Sequence, residues 1–172
     1  MAETEVLTFD KVWAMFQETD RRFKETDKKI GELGNRFGEL AEHLVAPNIK
    51  HKFREFGFSF EQMSQNVEIT DASDNFIAEI DILLENGDTA IAVEVKAKPL
   101  QKDVDKHINR METLRLRADA RNDKRKYQGA IAGAIMNKEI RDYAHKQGFY
   151  VIEQTRDTVK ISVPEGFKPK EW

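Results

Sequence analysis

With 172 residues, 40% hydrophobic and 34% charged, the chain has length for one compact domain plus an added element, but not for two separate cores. It has no cysteine, which excludes a disulfide framework, a thiolate metal site and a cysteine nucleophile, and suits a reducing cytoplasm. A formal net charge of −3 excludes a uniformly basic nucleic-acid binder, so the distribution of charge matters more than its total.

From Phe16 the sequence repeats in sevens: Phe16 to Arg22, Phe23 to Lys29, Ile30 to Arg36 and Phe37 to His43, then Leu44. The seam positions are Phe9, Phe16, Phe23, Ile30, Phe37 and Leu44, alternating with Val12, Thr19, Thr26, Leu33 and Leu40. One apolar stripe therefore persists along a helix from Phe9 to Leu44, with Thr8 placed to cap its start. A lone helix cannot bury that stripe on itself, so it must pair with a second copy or lie across the folded domain. The heptad spacing favours the second copy, and a homo-oligomer, most simply a dimer, is expected. Thr19 and Thr26 in the seam weaken the coil, as do Gly31, Gly34 and Gly38, at about 1 kcal/mol per glycine. Pro47 should kink or end the helix, with Ile49, Phe53 and Phe56 adding a turn or two before Gly57.

Beyond Gly57 the period changes. Val67 to Ile69 reads as a short strand, and residues 76–85 and 89–97 as alternating strands separated by Asn86-Gly87, a strong hairpin signal. After Pro99, residues 103–120 form a charged amphipathic helix with Val104, Ile108, Met111, Leu114 and Ala118 on one side. Residues 127–136 read as a small-residue strand, Asn137 caps a helix reaching Gln147, and Gly148 stops it. Strands at 150–154 and 159–163 precede a tail. The expected class is α/β with a mixed sheet: residues 1–35 a coiled-coil-like helix, 36–163 one domain, 164–172 a tail. No stretch nears the roughly 20 apolar residues of a membrane span, and the first ten residues are acidic, so a soluble, unprocessed cytoplasmic protein is expected.

The chemistry gathers on the hairpin. In its first strand Ile77, Glu79, Asp81 and Leu83 share one face and Phe76, Ala78, Ile80, Ile82 and Leu84 the other. In its second, Ala92, Glu94 and Lys96 lie opposite in facing to Ile91, Val93 and Val95. A two-residue turn at Asn86-Gly87 sets Ile82 against Ile91, Asp81 against Ala92 and Glu79 against Glu94. Asp81 is then diagonal to Glu94, roughly 7 to 8 Å away at the backbone. Carboxylates so placed repel, and a hard divalent cation, Mg²⁺ or Mn²⁺, turns that repulsion into a site. Lys96 lies about 7 Å beyond Glu94 on the same face and reaches the same phosphate. Its ammonium can stabilise charge developing on a phosphodiester, while the cation lowers the pKa of the attacking water. A solvated strand face with paired charges would present the same three residues.

Asp81, followed by Glu94-Val95-Lys96 on the adjacent strand, resembles the PD-(D/E)XK nuclease superfamily. The likeness covers about residues 36–136, whose order of helix, three-strand meander, helix and strand is that superfamily's restriction-endonuclease-like αβββαβ core. Gly38-Glu-Leu-Ala-Glu42 is similar to the first-helix segment of its Holliday-junction-resolvase-like branch, where a glutamate joins the metal shell. The resemblance implies Mg²⁺ or Mn²⁺ held by Asp81, Glu94, the Val95 carbonyl and Glu42, with Lys96 acting on the phosphate or the water. Glu39, one turn from Glu42, is the weaker candidate, and Glu42 is equally a solvated heptad position. Ile80 stands in place of the motif's proline, and Glu79 is the reserve for Asp81.

Charge changes sign where this segment ends. Residues 47–95 hold 3 basic against 10 acidic side chains, and residues 96–126 hold 11 against 5. Lys98, Lys102, Lys106 and Arg110 step at intervals of four and can track phosphates beside the acidic site. His107, on the same helix, stands where the superfamily often contacts substrate. The histidines at 43, 51 and 145 show no metal-ligand spacing, and there is no P-loop, dinucleotide fingerprint or nucleophile elbow. The expected function is a metal-dependent endonuclease acting on DNA, with RNA also open. The alternative is a non-catalytic nucleic-acid-binding or coiled-coil assembly module on the same fold.

Overall fold

A computed structural model describes residues 9–71, 73–156 and 158–172, without the side chains of 9, 10, 12, 13, 16, 30–42 and 44. The chain divides into two compact units, one ending at Arg36 and the other spanning Phe37–Trp172. The first helix, α1 (Phe9–Arg54), enters both.

In the first unit the described face of α1 carries exposed ion pairs, Arg21 with Glu18 and Glu25, and Lys24 with Asp20. Such pairs are screened by salt and add little stability. Thr19 and Thr26 donate their hydroxyls to the carbonyls of Met15 and Arg22, both at 2.8 Å, so these seam threonines satisfy their polar groups on their own helix. Phe23 is 65% exposed. Thr8 and the other seam side chains lie outside the described residues.

The second unit is α/β. Its strands are β1 (Gln62–Thr70), β2 (Phe76–Glu85), β3 (Thr89–Lys96), β4 (Lys126–Gly133), β5 (Tyr150–Gln154) and β6 (Val159–Ser162). Helix α2 (Gln101–Ala120) joins β3 to β4, and α3 (Lys138–Lys146) joins β4 to β5. The six strands lie in sequence order in one mixed sheet, parallel at β3–β4 and β4–β5 and antiparallel elsewhere. Two crossover helices between parallel neighbours explain that order. Among the described residues, no helix is long and apolar enough to cross a membrane.

Each face of the sheet has its own core. Val45, Ala46, Ile49 and Phe53 of α1 pack with Ile82, Leu84, Ile91, Val93 and Val95 on one face. Val104, Met111, Leu114 and Ala118 of α2 pack with Ala92, Ile131 and Val151 on the other. This packing on both sides of Pro47 holds α1 helical through the proline, where the sequence leads one to expect a kink or an end.

The hairpin departs from its expected register by two residues. Ile82 pairs with Val93 and Glu85 with Ala90, not Ile82 with Ile91. The cause is Asn86: its side-chain oxygen accepts the N–H groups of Asp88 and Thr89 at 2.9 and 2.7 Å, and its own N–H donates to the Thr89 carbonyl at 3.0 Å. The loop therefore closes over four residues, Asn86 to Thr89. A shift of two by itself leaves the facing of both strands unchanged. It does change the neighbours: the last pair of the ladder is now Ile82–Val93, and Asp81 and Glu94 are the next residues beyond it on their strands.

The facing along β2 also differs from strict alternation. Ala78, Ile80 and Leu83 belong to the α2-side core, but Ile82 and Leu84 to the α1-side core. The change of face falls between Ile80 and Ile82, at Asp81. On the facing strand β1, Met63 packs against the α1-side core and Val67 against the other, with Asn66 between them at a φ of 50°. A left-handed residue turns the β1–β2 ribbon over at this level.

The last residues are held to the domain. Lys170 N–H donates to the Gly148 carbonyl at 3.0 Å and Trp172 N–H to the Tyr127 carbonyl at 2.8 Å. The Trp172 ring stacks on Phe149 at 5.3 Å, and Phe149 in turn lies 5.1 Å from the His107 ring. Gly129 leaves room for this column, since a Cβ there would sit 2.2 Å from Phe149.

Candidate functional site

The β2–β3 ladder stops at Ile82–Val93, so the edge of Val95 that faces β2 has no backbone partner in that ladder. Side chains take its place. The Asp81 carboxylate accepts the Val95 N–H at 2.6 Å, and the Lys96 ammonium donates to the Val95 carbonyl at 3.1 Å. The strand-facing switch at Asp81 thus has a consequence: the carboxylate lies in the gap where the strands part.

Glu94 is 2% exposed and Asp81 7%. Lys96 Nζ is 2.7 Å from Glu94 Oε1 and 3.8 Å from Asp81 Oδ2. Arg110, from α2, binds the other Glu94 oxygen, Oε2. Its position follows from the start of α2, where the Asp103 carboxylate accepts the Leu100 N–H at 2.8 Å directly after Pro99. Two carboxylates and two cations therefore form one partly enclosed cluster.

The electrostatics of the cluster are set by burial. Burial and then the negative charge of Glu94 push the Asp81 carboxyl above the usual range, outweighing the Val95 N–H and the nearby cations. For Lys96, burial works against the ammonium, but the charge and hydrogen bond of Glu94 and the charge of Asp81 overcome it and raise its pKa. The lysine is protonated at neutral pH.

Three oxygens converge on Lys96 Nζ: Glu94 Oε1, the Val95 carbonyl and, more distantly, Asp81 Oδ2. A cation already occupies the meeting point of a hard oxygen set, and such a set suits Mg²⁺ or Mn²⁺. Asp81, Glu94 and Val95, named from the sequence, are brought together. Among the described residues, no group of three or more His, Asp and Glu side chains is gathered for a metal. Glu79 faces Glu68 across the β1–β2 ladder and is not drawn in. The side chains of Glu42 and Glu39 lie outside the described residues.

The basic stripe separates into two parts. Lys98, Lys102 and Lys106 are exposed, as phosphate contacts require. Arg110 instead turns to Glu94. His107 is 0% exposed, so this conformation offers none of its ring to a phosphate, contrary to the expectation from its place on the helix. Its Nε2 lies 3.0 Å from the Ala92 carbonyl, which makes Nε2–H the donor, while Nδ1 has no hydrogen-bond partner among the described residues. Burial holds its pKa down to about 4, so the ring is neutral and belongs to the support behind β3. The Arg110–Glu94 pair escaped sequence reasoning. Its only signal is that Arg110 follows the inward-facing His107 by three residues, at the edge of the buried stripe of α2.

No family model, curated protein or solved structure matches the chain.

Proposed function

We propose that the chain is a metal-dependent nuclease with a restriction-endonuclease-like core of the PD-(D/E)XK type, hydrolysing phosphodiester bonds in DNA. The observation that carries this reading is the convergence of Glu94 Oε1, the Val95 carbonyl and Asp81 Oδ2 on the Lys96 ammonium. Asp81, Glu94 and the Val95 carbonyl would hold Mg²⁺ or Mn²⁺, with Glu42 as a further ligand. A cation bound there supplies positive charge to a phosphate oxygen and acidity to water. Lys96 orients the attacking water or donates to the phosphate, so that charge building up on the non-bridging oxygens meets a fixed cation. Water adds to phosphorus, one P–O ester bond breaks, and the departing oxygen takes up a proton. Lys98, Lys102 and Lys106 guide the backbone toward the site.

The test is incubation of the full chain with circular, linear and branched DNA in Mg²⁺ or Mn²⁺, beside an Asp81→Ala/Glu94→Ala double variant. Cation-dependent nicking by the first and not by the second is expected. Equal nicking by both would remove these residues from the chemistry. A non-catalytic nucleic-acid-binding or assembly module is the second reading, favoured by one observation: both oxygens of Glu94 are already paired, with Lys96 and Arg110. It gains if the wild-type chain retains DNA but leaves it intact.

The heptads of the N-terminal helix support self-association, with Phe23 in the seam and 65% exposed in the single chain. The full chain should sediment as a dimer, and Phe23→Asp should shift it to monomer at the same concentration. A monomeric wild type would end this part of the proposal.

A further inference from the structure

Arg110 and Lys96 together neutralise the two acids that the metal would need. Asp81 and Glu94 contribute two negative charges, and Lys96 and Arg110 two positive ones, in a cluster whose central carboxylate is 2% exposed. A divalent cation entering it alone would add two uncompensated charges where water is largely excluded, which is costly. It would also meet a Glu94 whose two oxygens are each already paired with a cation. A phosphodiester changes both conditions. It brings negative charge, and its two non-bridging oxygens suit the fork of a guanidinium. The Arg110 side chain is a quarter exposed, so it can reach a ligand at the mouth of the cluster.

We infer that Arg110 is an exchange cation: it holds Glu94 in the free protein and passes to the substrate phosphate as the divalent cation takes its place on Glu94. Metal and nucleic acid then bind as a coupled pair, each tightening the other by the same factor. The inference rests on the cation-dependent site proposed above. It assigns Arg110 a role separate from the lysine stripe, as a positioning residue for Glu94 in the free state and a phosphate ligand in the bound state.

The test is calorimetric titration of Mn²⁺ into the full chain, alone and with a phosphorothioate DNA duplex that resists cleavage. Wild type should bind Mn²⁺ weakly alone and about tenfold or more tightly with the duplex, within the usual range of coupling between sites. Arg110→Gln should bind Mn²⁺ about tenfold more tightly than wild type in the absence of DNA, and the duplex should add little further. Arg110→Lys keeps the charge and should resemble wild type without DNA, with thermal melting confirming that each variant is folded. If wild type and Arg110→Gln bind Mn²⁺ equally well without DNA, the exchange is overturned and the metal site stands. If no folded variant nor the wild type binds Mn²⁺ with or without the duplex, both the exchange and the metal site fall.

Discussion

Asp81→Asn is expected to reduce Mg²⁺-dependent cleavage about a thousandfold or more, on the scale of losing a group that fixes charge at the reacting centre, and yet to melt at a higher temperature than the wild type. The two effects have one cause. Burial and Glu94 raise the Asp81 pKa above that of the unfolded chain. For a carboxyl shifted in that direction, the stabilising form is the protonated one. That stability is complete below the unfolded pKa and is lost as pH rises through the folded one, so the carboxylate, once ionised, works against the fold. Asparagine keeps an oxygen for the Val95 N–H, which Asp81 binds at 2.6 Å, and removes the charge. The difference in melting temperature should therefore widen as pH rises through the folded pKa and close as pH falls. Added Mg²⁺ should raise the melting temperature of the wild type and leave Asp81→Asn where it is. A variant that melts lower than wild type at pH 7 would show that the ionised carboxylate supports the fold.

The second large effect is an acid loss of stability assigned to His107. Its folded pKa of about 4, held down first by burial, lies below the unfolded value of 6.5. A histidine shifted this way contributes its full stability above the unfolded pKa and loses it as pH falls toward the folded one. Between pH 7 and pH 4 the loss from this one residue should be about 3 kcal/mol. Urea denaturation across that range, compared with His107→Gln, isolates it from the carboxylates, because glutamine retains an N–H for the Ala92 carbonyl and does not titrate. Parallel pH profiles for the two proteins would exclude His107 as the cause.

Much of the second unit was legible because local pattern and tertiary demand agreed there. Val104, Met111, Leu114 and Ala118 follow the helical period and are buried, and Gly148 at a φ of 84° ends the last helix turn where a glycine should. Glu94 and Lys96 fall on the face expected of them, since the parity of a strand survives a shift by two. The arrangement of Asp81 was not legible. Its place depends on the side chain of Asn86 lengthening the loop and on the left-handed Asn66 turning the ribbon, and neither is visible in an alternation of apolar residues. Arg110 was read as one step in a surface stripe because four-residue spacing records position along a helix and not which side chain bends inward. His107 stands where the resemblance implies a substrate contact, but the apolar face of α2 buries it, and Ala92 gives it the one hydrogen bond that lets it stay there.

The column of rings from His107 through Phe149 to Trp172 gives the chain a light-emitting probe of its own. The sequence has two tryptophans, Trp13 and Trp172, so Trp13→Phe leaves a single indole. That indole lies against Phe149 with the Lys170 ammonium 4.4 Å from its ring centre. Two rings away, the His107 side chain holds the carbonyl of Ala92, two residues before Glu94. Its emission colour and quenching can be followed continuously without a dye, so a change in the packing of this column during unfolding can be timed in solution.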